Sequence, residues 1–377
     1  MFKYIITTLI IFFNISIFIF PTEIINGTKE GLEIWFYTLI PSLFPFVVLS
    51  TFLLESRYLS LLPDFIFYPI KKLLNINTNT AKYYVLALLT GYPLGAKISS
   101  ELYIKQDLSK KEYKHTLYFF NNCSIIFTIG TVGILFYNNK NLGIFLYTIH
   151  IISSYILGVL YSDRTLKTYK ITQYFNKEEN IKTLFTKSIT NSFYTLLNIG
   201  SFVIFFSFVS ATLDATGVFE KITLPLINQD QLKGIFLGLL EFTNGIYILS
   251  TGEQNILTLP LISFLLGFSG LSVLMQSIFF IEQTKISPWL FIKGKIQHGL
   301  LAGFLTYILS KFFYKNIIPT IKIENYHKHT EHGSFLKEHI ITENFYLNPF
   351  YTMIIVSFFI TIIVFYFFFR NKKYKYY

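Results

Sequence analysis

The chain has 377 residues, of which 52% are hydrophobic and only 14% charged. A soluble domain carries about 25% charged residues, so this composition excludes an ordinary water-soluble globule. The net charge of +11 falls between long apolar runs, which reads as loop charge on a membrane protein rather than a nucleic-acid surface, and the single cysteine, Cys123, excludes an intramolecular disulfide.

Apolar segments fall at about 4–20, 31–54, 81–98, 116–137, 141–161, 188–213, 232–250, 256–281, 289–313 and 349–369. The runs are continuous rather than alternating, which argues for helices and against a β-barrel. The first follows Lys3 and ends at "FIFPTEIING", which offers no small-x-small cleavage site, so an uncleaved first helix is expected. The second holds Pro41 and Pro45, each of which removes a helix hydrogen bond. The third breaks at Gly91-Tyr92-Pro93 in "LLTGYPLGAKISS". Further along, "NNCS", "LEFTNG" and "GFSGLS" interrupt the segments at 116–137, 232–250 and 256–281.

Lysine and arginine bias orients these segments. Glu23, Lys29 and Glu30 mark 21–30 as an external loop. Arg57, Lys71 and Lys72 precede segment 81–98, and Lys105, Lys110, Lys111 and Lys114 follow it. Both loops are cytoplasmic only if that segment enters, turns and leaves on the same side. The same argument makes 232–250 re-entrant and leaves Lys285, Lys293 and Lys295 in an inside loop. The expected fold is an all-α polytopic membrane protein. It has about 8 transmembrane helices plus two re-entrant or broken-helix elements, in an inverted-repeat, transporter-like bundle with both termini inside. The expected parts are an anchor helix and external loop (1–30), a first half-repeat (31–161), a basic cytoplasmic linker (162–187), a second, inverted half-repeat (188–313), a polar linker (314–348) and a last helix with a basic tail (349–377).

Broken helices at membrane depth free backbone N–H and C=O groups, which makes them natural ligand sites. The candidate substrate-binding residues are therefore Thr90, Gly91, Gly95, Asn121, Asn122, Ser124, Thr243, Asn244, Gly245, Ser269, Ser272 and Gln276. Glu241 is the candidate ion-coupling residue, because a carboxylate in a membrane segment is costly unless it functions. Lys97 is its nearest opposite-sign candidate, or else snorkels to the interface. The other reading of all these polar clusters is helix–helix packing. His327, His329, His332 and His339, with Glu331 and Glu338, fit no zinc spacing and read as a solvated linker. No Walker loop, dinucleotide fingerprint or nucleophile elbow is present, so neither catalytic residues nor cofactors are expected.

The stretches "LIPSLFPFVVLS", "LLTGYPLGAK", "FFNNCSIIFTIGTVG", "GLLEFTNG", "LLGFSGLSVLMQ" and "IQHGLLAG" resemble the sporulation integral membrane protein YlbJ family, within the wider nucleoside-recognition "Gate" group. The resemblance covers about residues 31–310. It implies a plasma-membrane protein of endospore formation, and the Gate group suggests transport of a small polar solute or ion. The implied partners are the bilayer, that solute, further copies of the chain or other sporulation membrane proteins, with no nucleic acid. A non-transporting scaffold for envelope or cortex assembly is the alternative.

Overall fold

Every regular element among the described residues of this computed structural model, which are 2–162, 180–219 and 227–317, is helical. Helix α1 (Phe2–Ile19) meets α2 (Pro21–Glu33) at a bend of 107°. From α2 the chain runs through a π-helical stretch, Ile34–Leu39, into α3 (Ile40–Ser56). Pro41 and Pro45 offer no N–H to the preceding turn, and the backbone responds by widening. At that junction Ile40 N–H donates to Trp35 O, five residues back. The expected external loop at 21–30 is thus corrected: those residues continue a helix, although their charges read as loop.

Helix α4 (Tyr68–Leu74) leads to α5 (Thr78–Thr90), and α6 (Leu94–Ile104) follows the Gly-Tyr-Pro break. Next come α7 (Lys110–Thr116), a non-helical stretch at 120–124, a π-helical segment Ile126–Phe136, and α8 (Lys140–Leu160). The second half comprises α9 (Ile181–Ala215), α10 (Gln229–Leu240), α11 (Phe242–Thr251), α12 (Thr258–Phe268), α13 (Gly270–Glu282) and α14 (Trp289–Ile317). Side-chain caps fix several starts. Asn77 accepts from Thr80 N, Ser109 forms a capping box with Glu112, and Asn228 forms one with Gln231.

The frame of the bundle is a pair of antiparallel helices. Gly27 and Gly31 pack on Ala211 and Ser207, Trp35 Nε1 donates to Leu196 O (2.9 Å), Phe52 meets Phe185, and Lys187 reaches Glu55 (3.7 Å). The stretch 21–56 therefore runs the length of α9 in the opposite direction.

Both elements expected to be re-entrant turn back. Their arms hold 13 and 11 residues in the first and 12 and 10 in the second. At 1.5 Å per residue no arm exceeds about 20 Å, short of the ~30 Å hydrocarbon core. The first begins and ends together, since Asn77 at its start contacts Glu112 just past its end (3.5 Å). The second does the same: Asn228 Nδ2 donates to Glu253 Oε2 (3.2 Å) and Gln231 Nε2 to Asn255 Oδ1 (2.6 Å).

By length and apolarity, three described helices can cross a bilayer, namely Lys140–Leu160, Ile181–Ala215 and the once-broken Thr258–Glu282. Counted as one bent span, the pair Lys3–Ile19 and Pro21–Tyr37 would make a fourth. Other segments are interrupted by a break or, like α14, diluted by Lys295, Gln297 and His298. Large apolar side chains on the outside, among them Phe193, Phe205, Phe236, Leu300 and Phe304, face outward as lipid-contacting groups do.

The two halves do not keep separate cores. One cluster joins Tyr84, Ala87 and Phe120 to Leu274, Ile281 and Phe291, and another joins Tyr92, Cys123 and Leu142 to Phe242, Ile246 and Leu265. The linker at 163–179, the histidine-containing stretch and the final apolar run at 349–369 lie outside the described residues.

Candidate functional site

Each hairpin tip is pressed against a break in a helix of its own half. In the first, α5 stops at Gly91 (φ +78°), and a Cβ there would come within 2.8 Å of Ser124 N. The Tyr92–Pro93 peptide is cis. Gly95 lies over Phe120 and Asn121, and Ala96 N–H donates to Asn121 Oδ1 (3.2 Å). The first tip thus closes on the 120–124 break. In the second, Glu241 separates α10 from α11, and Gly238 lies against Gly245. A Cβ on Gly270 (φ +70°) would stand 2.9 Å from Gly238 O and 3.0 Å from Phe242 N, so this tip closes on the Ser269–Gly270 break.

The two tips meet. The Tyr92 and Phe242 rings stand edge to face at 5.2 Å, and Phe127 adds a third ring 5.0 Å from Phe242. Helix α13 joins the two centres from behind. It starts at Ser269, beside the second tip, and its Ser277 Oγ accepts from Asn121 Nδ2 (3.0 Å).

The residues singled out by sequence divide accordingly. Gly91, Gly95, Asn121 and Ser124 gather at the first tip, and Glu241, Gly245 and Ser269 at the second. Thr243 and Asn244 form the first turn of α11, where Asn244 N–H donates to Glu241 Oε2 (2.9 Å). Glu241 therefore caps a helix N-terminus, whose partial positive charge favours the carboxylate. It is 4% exposed and has no ion-pair partner among the described residues. Several others are satisfied locally. Thr90 Oγ1 donates to Leu86 O (3.1 Å), Ser124 Oγ accepts from Phe127 N (3.2 Å), and Gln276 Nε2 donates to Ser272 Oγ (3.1 Å). Asn122 turns away from the tips and donates to Phe119 O (2.7 Å).

Lys97 neither snorkels nor meets Glu241. Its ammonium bonds Thr195 Oγ1 (3.0 Å) and Thr51 Oγ1 (3.3 Å), with Glu101 at 3.8 Å. It ties the first hairpin to both frame helices.

Sequence reasoning missed a group on α14. Lys295, expected in a loop, is 2% exposed and donates to Asn121 O (3.1 Å). One turn on, His298 Nε2 meets His150 O at 2.9 Å, and the two imidazole rings lie 4.5 Å apart. His150 Nε2 accepts from Cys123 N–H (2.9 Å). The available signal was the spacing Lys295 to His298, which puts both on one helix face.

Charge is ordered on the two ends of the bundle. Arg57–Asp107 (3.3 Å), Lys105–Glu55 (3.2 Å) and Lys187–Glu55 place the loops around 57 and 105 and the start of α9 on one face. Burial holds the Asp107 carboxyl above its usual range, with Arg57 pulling it back. Lys233–Asp214 (2.6 Å) and Tyr137 Oη–Gln254 Oε1 (2.9 Å) lie on the other face, where α9 ends and the second hairpin opens.

Among known proteins, the chain is similar to the sporulation integral membrane protein YlbJ of Bacillus subtilis (strain 168). It is 26% identical over 343 residues, a match covering 82% of this chain and 83% of that one. No protein-family model matches the chain, and no solved structure does.

Proposed function

We propose, from the chain's similarity to the sporulation integral membrane protein YlbJ, that it belongs to that family and serves endospore formation by moving a small polar solute or ion. The observation carrying this reading is the meeting of the two hairpin tips, Tyr92 on Phe242 at 5.2 Å, each tip set on a helix break. Secondary transporters place solute at midplane between such paired broken helices, where freed backbone groups and helix ends act as ligands.

In this reading the face with Arg57, Lys71, Lys72, Lys105 and Lys187 is cytoplasmic. Six crossings follow for the described chain: α2–α3, α7 with the π-helical segment, α8, α9, α12–α13 and α14. Helix α1 and the apolar run at 349–369 bring the total to about eight, with both termini inside. The solute binds among Asn121, Thr243, Asn244, Ser269 and the backbone at Gly91 and Gly245. Glu241 couples its movement to a cation.

Glu241→Gln separates the charge from the cap, because the amide oxygen still accepts from Asn244 N–H. The variant is expected at normal level in the membrane, with heat-resistant spore yield lost. Full spore yield at normal level would remove the coupling role. Glu241→Ala should in addition lower stability by about 1 kcal/mol through the lost cap.

A scaffold reading draws on a different observation, that Thr90, Ser124, Ser272 and Gln276 satisfy one another or their own helices. The polar tips are then packing, and function resides in loops 101–115 and 162–187. Exchanging those loops while sparing the tips separates the two readings.

A further inference from the structure

Three lysines are buried in the described bundle, and they are treated differently. Lys82 binds Ser60 O (3.0 Å) and Leu62 O (2.6 Å) and has the Asp64 carboxylate at 2.8 Å. Lys97 has two threonine hydroxyls and Glu101. Lys295 is as buried as Lys82, yet it has no carboxylate within ion-pair distance among the described residues. Its ammonium donates to Asn121 O and lies over the Tyr92 ring, 5.5 Å from the centroid. A carbonyl and an aromatic face are the contacts an ammonium favours, but neither carries a negative charge. An ammonium has three donors, and one protein acceptor is in place.

The neighbouring groups are donors too. Tyr92, nine-tenths buried, carries a hydroxyl beside the Cys123 thiol, with no hydrogen bond of good geometry. His150 accepts at Nε2 from Cys123 N–H, so the neutral ring carries its proton on Nδ1, which has no partner. His150 is 1% exposed. A lysine with no carboxylate and two donors without good partners thus lie around 121–123, where Asn121 O is the one acceptor the described residues offer the lysine. Native structures rarely leave buried polar groups unused, and an ionised acceptor satisfies all three kinds of donor best. A purely structural lysine that only stopped the loose carbonyls of the break would follow the Lys82 pattern, with a carboxylate beside it.

We propose that Lys295, with the Tyr92 hydroxyl and His150 Nδ1–H, is an oxyanion-binding site at the first hairpin tip, which receives the carboxylate or phosphate of a dissolved solute. The assignment narrows the transport reading to anionic solutes and rests on that reading only for the solute's movement.

Binding is tested on the full chain purified in a sugar-based, phospholipid-free detergent, so that no lipid phosphate competes. Thermal unfolding is followed against sodium phosphate and sodium acetate, with sodium chloride at matched ionic strength. The wild type is expected to show a saturable rise in melting temperature with phosphate or acetate beyond chloride. Lys295→Met, which keeps the length of the side chain and removes its charge, abolishes the rise. Tyr92→Phe keeps the ring and weakens apparent affinity by about tenfold or more, because the lost bond is to a charged group. A merely structural hydroxyl would leave anion affinity unchanged in Tyr92→Phe, and that result overturns the site even where Lys295→Met does not fold. An equal rise in the wild type and Lys295→Met, or no saturable rise with either oxyanion, also overturns it. Spore yield in Glu241→Gln is a separate readout, so failure of this site and failure of the transport reading are distinguishable.

Discussion

Gly245→Ala is expected to cost about 3 kcal/mol of stability and to abolish spore formation with it. A Cβ at Gly245 falls onto the Cα of Gly238 and the carbonyl of Gly234, both backbone, so no side-chain rotation relieves the overlap. The arms of the second hairpin have to separate. Overpacking of this kind typically costs about 1–3 kcal/mol, and a backbone neighbour places it at the upper end. The separation also displaces Glu241 and Phe242, which form the tip. Gly130→Ala is the control. Its Cβ would meet only Ile126 Cγ2, at 4.0 Å, so it should be neutral or stabilise by up to about 1 kcal/mol. Thermal unfolding of purified protein in detergent reads both. Equal midpoints for the two variants would mean that the arms are not in contact.

The second large effect lies in the frame. At Gly200 a Cβ would enter the Trp35 indole, whose Nε1 donates to Leu196 O at 2.9 Å. Gly200→Leu should cost about 3 kcal/mol, because α9 and the 21–56 helix can no longer close on each other. Trp35→Ala should cost about 2–3 kcal/mol, less than a fully buried tryptophan, since the ring is part exposed. The double variant places the leucine in the space the indole leaves. It should therefore be at least about 1 kcal/mol more stable than the sum of the single effects predicts. Strict additivity would show that the two positions do not touch.

The sequence carried most of the architecture wherever a residue constrains the backbone. Gly91 and Pro93 end α5 for reasons readable from their own chemistry, and lysine bias on either side of 81–98 implied a segment that turns back. Asn77 beside Glu112 is the geometric counterpart of that inference. Hidden features depend on what a residue faces. The stretch "PTEIINGTKEGLE" is polar and reads as loop, yet Gly27 and Gly31 give it a smooth face against α9. Lys295 was counted with the loop charges because charge bias does not register burial. The meeting of Tyr92 with Phe242 joins residues 150 apart in sequence, and among 43 Phe and 27 Tyr no pairing rule selects it.

In the proposed topology each hairpin enters and leaves on one side of the membrane, and the two hairpins open on opposite faces of the bundle. Native Cys123 is 1% exposed, so single cysteines can be introduced without interference. Labelling of Lys72→Cys, Lys110→Cys, Gln229→Cys and Glu253→Cys by a membrane-impermeant maleimide in oriented vesicles tests the claim most directly. Positions 72 and 110 are expected to react from one side and 229 and 253 from the other. Reaction of 72 and 110 from opposite sides would make α5–α6 a crossing and contradict the inverted-repeat architecture.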